Sequence, residues 1–193
     1  MKTATVKISS VSPMSQSRPH NTPKKDKEAP DDYERRTWRE RCHANPDGSL
    51  FTPPMAFKLA LAGVAKFLGT QIKGRGKSTY TKHYEAGVLV MDAPILMNGG
   101  GPIMKDDVEE EWLFMNADGV RGSGKRVWKC YPKIPEWHTE VVFYILDDTI
   151  TEDVFEFHLN EAGKFQGIGR FRPINGGFYG RFKVDEIRWE EQE

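Results

Sequence analysis

Cysteine is scarce. Only Cys42 and Cys130 occur in the 193 residues, too few and too far apart for a disulfide framework or a zinc-binding pattern. Long hydrophobic runs are missing as well. No segment approaches the roughly 18 apolar residues that a membrane-spanning helix needs. The opening MKTATVKISSV alternates rather than presenting an apolar signal core, so neither a membrane span nor secretion is expected. A reducing cytoplasm is the compartment this composition predicts. Net charge is absent too: 28 Lys and Arg balance 28 Asp and Glu, so any case for a polyanionic partner must rest on how the charges are distributed.

The familiar catalytic patterns are also lacking. The five histidines (His20, His43, His83, His138, His158) fall in separate segments without HExxH spacing, and no GxSxG elbow occurs. His158 lies near an apolar helical stripe and is read as a packed residue. Two glycine-rich stretches imitate a phosphate-binding P-loop and fail its requirements. In GRGKST, residues 74–79, the first glycine of the motif is replaced by Gln71, and the stretch follows a helix where the motif follows a strand. In GVRGSGKR, residues 119–126, Arg126 replaces the Ser or Thr that would bind magnesium, and the following VWKCY reads as a strand. No catalytic residue, metal ligand or cofactor is assigned.

What remains is a regular alternation of short elements. Residues 4–11 alternate as a half-buried strand, with Val6 and Ile8 on one face. Residues 12–49 are polar, with Pro13, Pro19, Pro23 and Pro30 in the first half and a short helix expected over 31–43, capped by Asp31 or Asp32. Residues 54–68 form the clearest helix: Pro54 suits its first turn, Phe57, Leu61, Val64 and Leu68 form an apolar stripe, and Gly69 ends it. A basic loop (73–82), a strand (87–91) and a loop containing the triplet Gly99–Gly101 follow. Residues 112–115 and 126–131 are expected to pair around the turn-rich 118–124, and 140–146 is another strand. Thr149 and Glu152 have capping-box spacing ahead of a helix through Phe155, Leu159 and Ala162, stopped at Gly163. A last strand is expected over 178–184. The order predicts an α+β domain with a ferredoxin-like, RRM-like βαββαβ core, an extra hairpin and long inserted loops. A single domain over 1–193 is expected, with insertions at 12–50 and 70–135.

Charge is unevenly placed. Acidic residues gather in 106–111, 147–156 and 185–193, and basic ones in 18–41, 73–82, 121–133 and 170–183. The last three basic clusters sit among glycines and aromatics, a setting in which Lys77, Lys82, Lys125 and Arg126 can meet phosphates. The segment GIGRFRPINGGFYGRF, residues 167–182, concentrates the pattern. Its glycines (Gly167, Gly169, Gly176, Gly177, Gly180) allow close backbone approach, and Arg170, Arg172 and Arg181 offer bidentate phosphate contacts. Phe171, Phe178 and Tyr179, if exposed, can stack on unpaired bases. Asp26, Asp31 and Asp32 lie in the loop after the first strand, where capping and solvation account for them.

Three segments together resemble the RAMP superfamily, the RNA-binding subunits of CRISPR effector complexes. VKISSVSP (6–13) is similar to the family's first strand and turn. FTPPMAFKLALAGVAKFL (51–68) resembles its first helix start, with Pro53, Lys58, Ala60 and Leu61 in register and Pro54, Met55 and Ala56 departing from it. HLNEAGKFQGIGRFRPINGGFYGRF (158–182) resembles its hallmark helix and glycine-rich loop. The resemblance implies a modified RRM-like fold that holds guide or single-stranded RNA by its phosphate backbone. It also implies other effector subunits, or copies of this chain, as partners. Carried over by position, the RNA-contacting residues are Lys58, Gly167, Gly169, Arg170, Arg172, Gly177, Gly180 and Arg181; Tyr179 and the four loop cations extend the set. A noncatalytic RNA-binding subunit is therefore expected. Two alternatives stand beside it. One is a metal-dependent ribonuclease using Asp26, Asp31 or Asp32, or a guide-processing enzyme using His20. The other is a phage or mobile-element protein that mimics or inhibits a host antiviral complex.

Overall fold

The computed structural model describes residues 1–117, 120, 122 and 124–191. Its chain runs through β1 (Lys2–Ser10), β2 (Met14–Ser15), α1 (Pro30–Thr37), α2 (Pro54–Leu68), α3 (Thr81–Gly87), β3 (Val88–Leu89), β4 (Met97–Asn98), β5 (Gly101–Pro102), β6 (Glu109–Asn116), β7 (Arg126–Ile134), β8 (His138–Ile145), α4 (Glu152–Glu161) and β9 (Phe182–Glu191). The fold is α+β. One antiparallel sheet has the order β5-β4-β8-β1-β9, with β3 also paired to β8. Taking β1, α2, β3 and β4, β8, α4 and β9 in chain order gives the βαββαβ core, with the first and last strands adjacent. The second strand of that core is split. Val88 pairs with Ile145 at one end of β8, and Met97 pairs with His138 at the other.

Alternation in β1 turns Ala4, Val6 and Ile8 to one face, where they are fully buried beside Val141, Phe143 and Ile145 of β8. The stripe of α2 supplies Phe57, Leu61 and Val64 to the same core, and α4 supplies Phe155 and Leu159. Edge-to-face contacts lock the layers: Phe57 lies 6.3 Å from Phe143 and 5.9 Å from Phe182, and Phe143 lies 5.1 Å from Phe155. The extra hairpin, β6 with β7, joins β2 in a second sheet of order β2-β7-β6. Positions 118, 119, 121 and 123, within the turn expected over 118–124 and the second P-loop look-alike, lie outside the described residues.

Several boundaries differ from the sequence expectation. α1 begins after Ala29, with Asp31 and Asp32 in its first turn instead of capping it, and a 3-10 turn (Trp38–Arg41) continues it. α3 has no counterpart in the sequence expectation; it occupies the end of the basic loop and shortens the following strand to two residues. The Thr149–Glu152 capping box does not form. Thr151 occupies the cap position, and the Thr149 amide donates to Asp147 Oδ1 at 2.8 Å. Gly163 does not stop the helix, which passes into a π turn (Ala162–Gln166). Its role is close approach: a Cβ there would lie 2.1 Å from the Phe182 carbonyl oxygen. The last strand starts at Phe182, leaving 178–181 in the loop.

Candidate nucleic-acid interface

The glycine-rich loop folds back on its own chain. The Gly180 amide donates to the Pro13 carbonyl at 2.7 Å, the Arg170 amide to the Ser15 carbonyl at 2.7 Å, and the Ile168 amide to the Gly180 carbonyl at 3.0 Å. Gly180 has φ +74°, and a Cβ there would lie 1.8 Å from the Ile168 carbonyl oxygen. Only glycine fits such a crossing. Gly167 and Gly177 likewise face protein atoms, so the close approach expected toward a ligand is used within the loop itself. Gly169 is also crowded, a Cβ there lying 2.5 Å from the Ser15 carbonyl oxygen, but its exposed side reaches the rim of the site described next.

That site is a cavity of 220 Å³ where four distant segments converge: the loop, β2 and the residues after it, the segment around His43, and the start of α2. Gln16 staples the floor. Its Nε2 donates to the Phe51 carbonyl at 2.9 Å, and its Oε1 accepts from the His43 amide at 2.7 Å. His43, Thr52, Gly169, Arg170 and Arg172 line the walls. Thr52 is 2% exposed, and its hydroxyl has no hydrogen-bond partner. It directly precedes the Pro53 cap and Pro54 at the first position of α2, a helix end without a side-chain cap. Pro53 and Pro54 have no N–H, and the Ala56 amide donates to the Pro53 carbonyl at 2.9 Å, so this helix end offers an anion the Met55 amide and the positive end of the dipole. Burial pushes the His43 imidazole below its usual value, and nearby Arg18 lowers it further.

The three loop arginines have different duties. The Arg170 side chain is 13% exposed; its guanidinium stacks 3.6 Å from the centre of the Tyr131 ring and lies 4.0 Å from Glu111 Oε2. Arg181 donates to the Lys164 and Phe178 carbonyls at 3.3 Å, bracing the loop. The Arg172 side chain makes no hydrogen bond or ion pair among the described residues and lines the cavity. Tyr179 corrects the sequence reading. Its ring is 4% exposed and its hydroxyl donates to Glu111, so it is not available for stacking on a base. Burial and the Glu111 contact push its phenol up to about 12. Phe171 and Phe178 are the exposed aromatics of the loop.

The other expected cations are not gathered here. Lys58 is half-buried on α2. Lys77, in the loop after α2, and the α3 residue Lys82 do not line the cavity. Lys125 and Arg126 belong to the hairpin, where Arg126 Nη2 donates to the Phe114 carbonyl at 2.7 Å. Asp31 and Asp32 sit on α1, Asp26 lies exposed in the turn before it, and His20 Nδ1 pairs with the Thr22 hydroxyl at 3.1 Å; none of them lines the cavity. Among the described residues no group of three His, Cys, Asp or Glu side chains gathers as a metal site. His158 is packed, its Nδ1 paired with the Val154 carbonyl at 2.7 Å. Sequence reasoning missed Gln16, His43 and Thr52. They are spread over 37 residues of chain (16–52) and have no local pattern to mark them.

The outer face of the main sheet has a different character. Lys7 pairs with Glu186 at 2.6 Å, and Arg188 pairs with Glu140 at 3.1 Å and Glu186 at 3.9 Å. Cations there are already neutralised, which leaves the loop side as the better place for an anionic partner.

No family model matches the sequence, and no curated protein matches it. Solved structures do. A chain in the cryo-EM structure of the Type III-B Cmr-beta bound to cognate target RNA aligns with TM-score 0.54 and 8% identity, covering 97% of this chain. The likeness is one of fold. This chain spans 60% of the length of that one. Cmr6 from Pyrococcus furiosus aligns over 95% of this chain and 98% of its own, with TM-score 0.46 and 13% identity. A chain of a CRISPR RNA-guided surveillance complex aligns over 95% of this chain and 67% of its own, with TM-score 0.36 and 10% identity. Among the described residues no helix is long and apolar enough to cross a membrane.

Proposed function

We propose that the protein is a noncatalytic RNA-binding subunit that seats a phosphate of guide or single-stranded RNA in the cavity between the glycine-rich loop and the start of α2. The observation that carries this reading is the convergence of an unpaired, buried Thr52 hydroxyl and the unpaired Arg172 guanidinium on one helix N-terminus. A phosphate oxygen would accept from the Arg172 guanidinium and, on uncovering it, from the Thr52 hydroxyl, and the positive end of the α2 dipole would favour its charge. Gly169 forms the rim, and Arg170 backs the site from its stack on Tyr131. Lys58 and the cations Lys77, Lys82, Lys125 and Arg126 would meet further phosphates along a longer strand. The fold likeness to a chain of an RNA-bound Type III-B complex supports the same reading. In this reading the protein works in the cytoplasm, alongside other effector subunits or further copies of this chain.

The test is fluorescence anisotropy with labelled single-stranded RNA at rising salt. Wild-type binding should weaken steeply, and an Arg172→Ala variant should bind more weakly. Removing one cation that neutralises a phosphate should lower the slope of log K against log salt by about 0.7. Absence of wild-type binding at low salt, or a variant with unchanged affinity and slope, overturns the proposal.

A further inference from the structure

The β6–β7 register places Phe114 opposite Trp128, Trp112 opposite Cys130 and Asn116 opposite Arg126. Side chains of opposed residues share a face, and so do those two apart on one strand. Trp112, Phe114, Trp128 and Arg126 therefore stand on one face of the hairpin. Phe114 and Trp128 are each 47% exposed, with ring centres 5.3 Å apart. That contact is an ordinary cross-strand aromatic pair and accounts for one side of Trp128. It does not account for the other side.

α1 crosses the same face. Glu34 fixes it there, accepting from the Cys130 amide at 3.3 Å and from Lys129 Nζ at 3.1 Å. Between α1 and the hairpin lies an open slot of 320 Å³ lined by Asp31, Arg35, Trp112 and Trp128. Cations accompany the aromatic surfaces at both ends. The Arg35 guanidinium is 5.5 Å from the centre of the Trp112 ring, and that of Arg126 is 5.0 Å from the centre of Phe114. The slot is at the small end of the roughly 300–1,000 Å³ range of ligand sites. It is large enough for one planar group and is open toward the exposed hairpin.

We propose that this slot receives one unpaired base of a single-stranded RNA, stacked against the Trp128 indole. Its neighbouring phosphates would lie toward Arg35 and Arg126, and the Asp31 carboxylate would accept a hydrogen bond from an N–H on the base edge. The choice of ligand follows from the surface. Aromatic faces interleaved with arginines complement a chain that alternates π faces with negative charge, and stacking accepts every base. The inference rests on the RNA-binding reading but concerns a separate site, which holds a base where the loop cavity holds a phosphate.

The experiment compares a short single-stranded RNA with the same strand made abasic, using tryptophan quenching and anisotropy. Wild type should bind the intact strand about tenfold more tightly, within the range expected for one stacked base. Trp128→Ala should bind both strands alike, and Trp128→Phe, which keeps a stacking face, should retain most of the preference. Arg172→Ala should weaken both strands equally. Equal wild-type affinity for the two strands overturns the base slot and leaves the phosphate site standing. A preference that survives in Trp128→Ala also overturns it, because the bases are then read elsewhere. Failure to bind either strand overturns both readings. A Trp128→Ala variant that loses a co-purifying protein, with its RNA preference intact, assigns the face to a protein partner and overturns the proposal.

Discussion

The guanidinium of Arg170 lies 3.6 Å from the centre of the Tyr131 ring, so a loop cation is stacked on the hairpin beside the cavity. Arg41 approaches the same ring at 4.9 Å, and Glu111 completes the cluster between Arg170 and Tyr179. The glycine-rich loop is thus pinned to the second sheet by a charged and aromatic contact as well as by its backbone. Two arginines separated by one residue consequently have different work, Arg170 in holding the loop and Arg172 in facing the cavity.

Arg170→Ala should lower stability by about 2 kcal/mol, because it removes the stack and leaves the half-buried Glu111 without its cation. Arg170→Lys should recover little of that, since an ammonium cannot reproduce a planar stack. Arg172→Ala should stay within about 0.5 kcal/mol of wild type. Urea unfolding midpoints check all three. Equal losses at positions 170 and 172 would contradict the division of labour.

Gly180→Ala should be among the most damaging substitutions in the chain, costing about 3 kcal/mol or preventing folding. The new methyl would meet the Ile168 carbonyl as well as strain the backbone. Gly176 has a similar φ of +77° with nothing near its would-be Cβ, so Gly176→Ala should cost only about 1 kcal/mol. Thermal unfolding of the two variants separates a crowded glycine from an open one.

Glu34 makes stability acid-sensitive. Burial acts to raise its pKa, but hydrogen bonding and charge from Arg41, with the Cys130 amide and Lys129, outweigh it and hold the carboxyl below its ordinary value. Since the folded pKa lies below the unfolded one, this stabilisation is present above the ordinary value of about 4.3 and is lost as pH falls through the folded value. Glu34→Gln should cost about 3 kcal/mol near neutral pH, because it breaks a buried ion pair. Its deficit should shrink in acid. Urea midpoints measured across that range test the sign, and a constant deficit would rule out the linkage.

Legibility varied with range. Val6 and Ile8 announced β1, and Phe57, Leu61 and Val64 announced α2, because each pattern repeats within one element and buries one face. The 3-10 and π turns were hidden because they depend on what packs against a helix end. Gly163 reads as a stop, yet the carbonyl of Phe182 across the core explains it better. The cavity was half legible: Gly169, Arg170 and Arg172 stood out by composition, while Gln16, His43 and Thr52 did not. The aromatic slot was less visible still, since Trp112 and Trp128 are neighbours only through strand register and Asp31 and Arg35 only through the docking of α1.

The glycine-rich loop separates the two kinds of information. Local sequence determined that a glycine- and arginine-bearing loop would run from Gly167 into the last strand, though it set the start of that strand at 178 instead of 182, because periodicity, turn residues and composition act over a few residues. Tertiary structure decided the direction of each side chain. Gly180 crosses Ile168, Tyr179 turns inward to Glu111, Arg170 lies on Tyr131, and Arg172 is left facing the cavity beside Thr52. Those outcomes depend on β1, β2 and the hairpin arriving from distant parts of the chain, where burial and pairing set the partners.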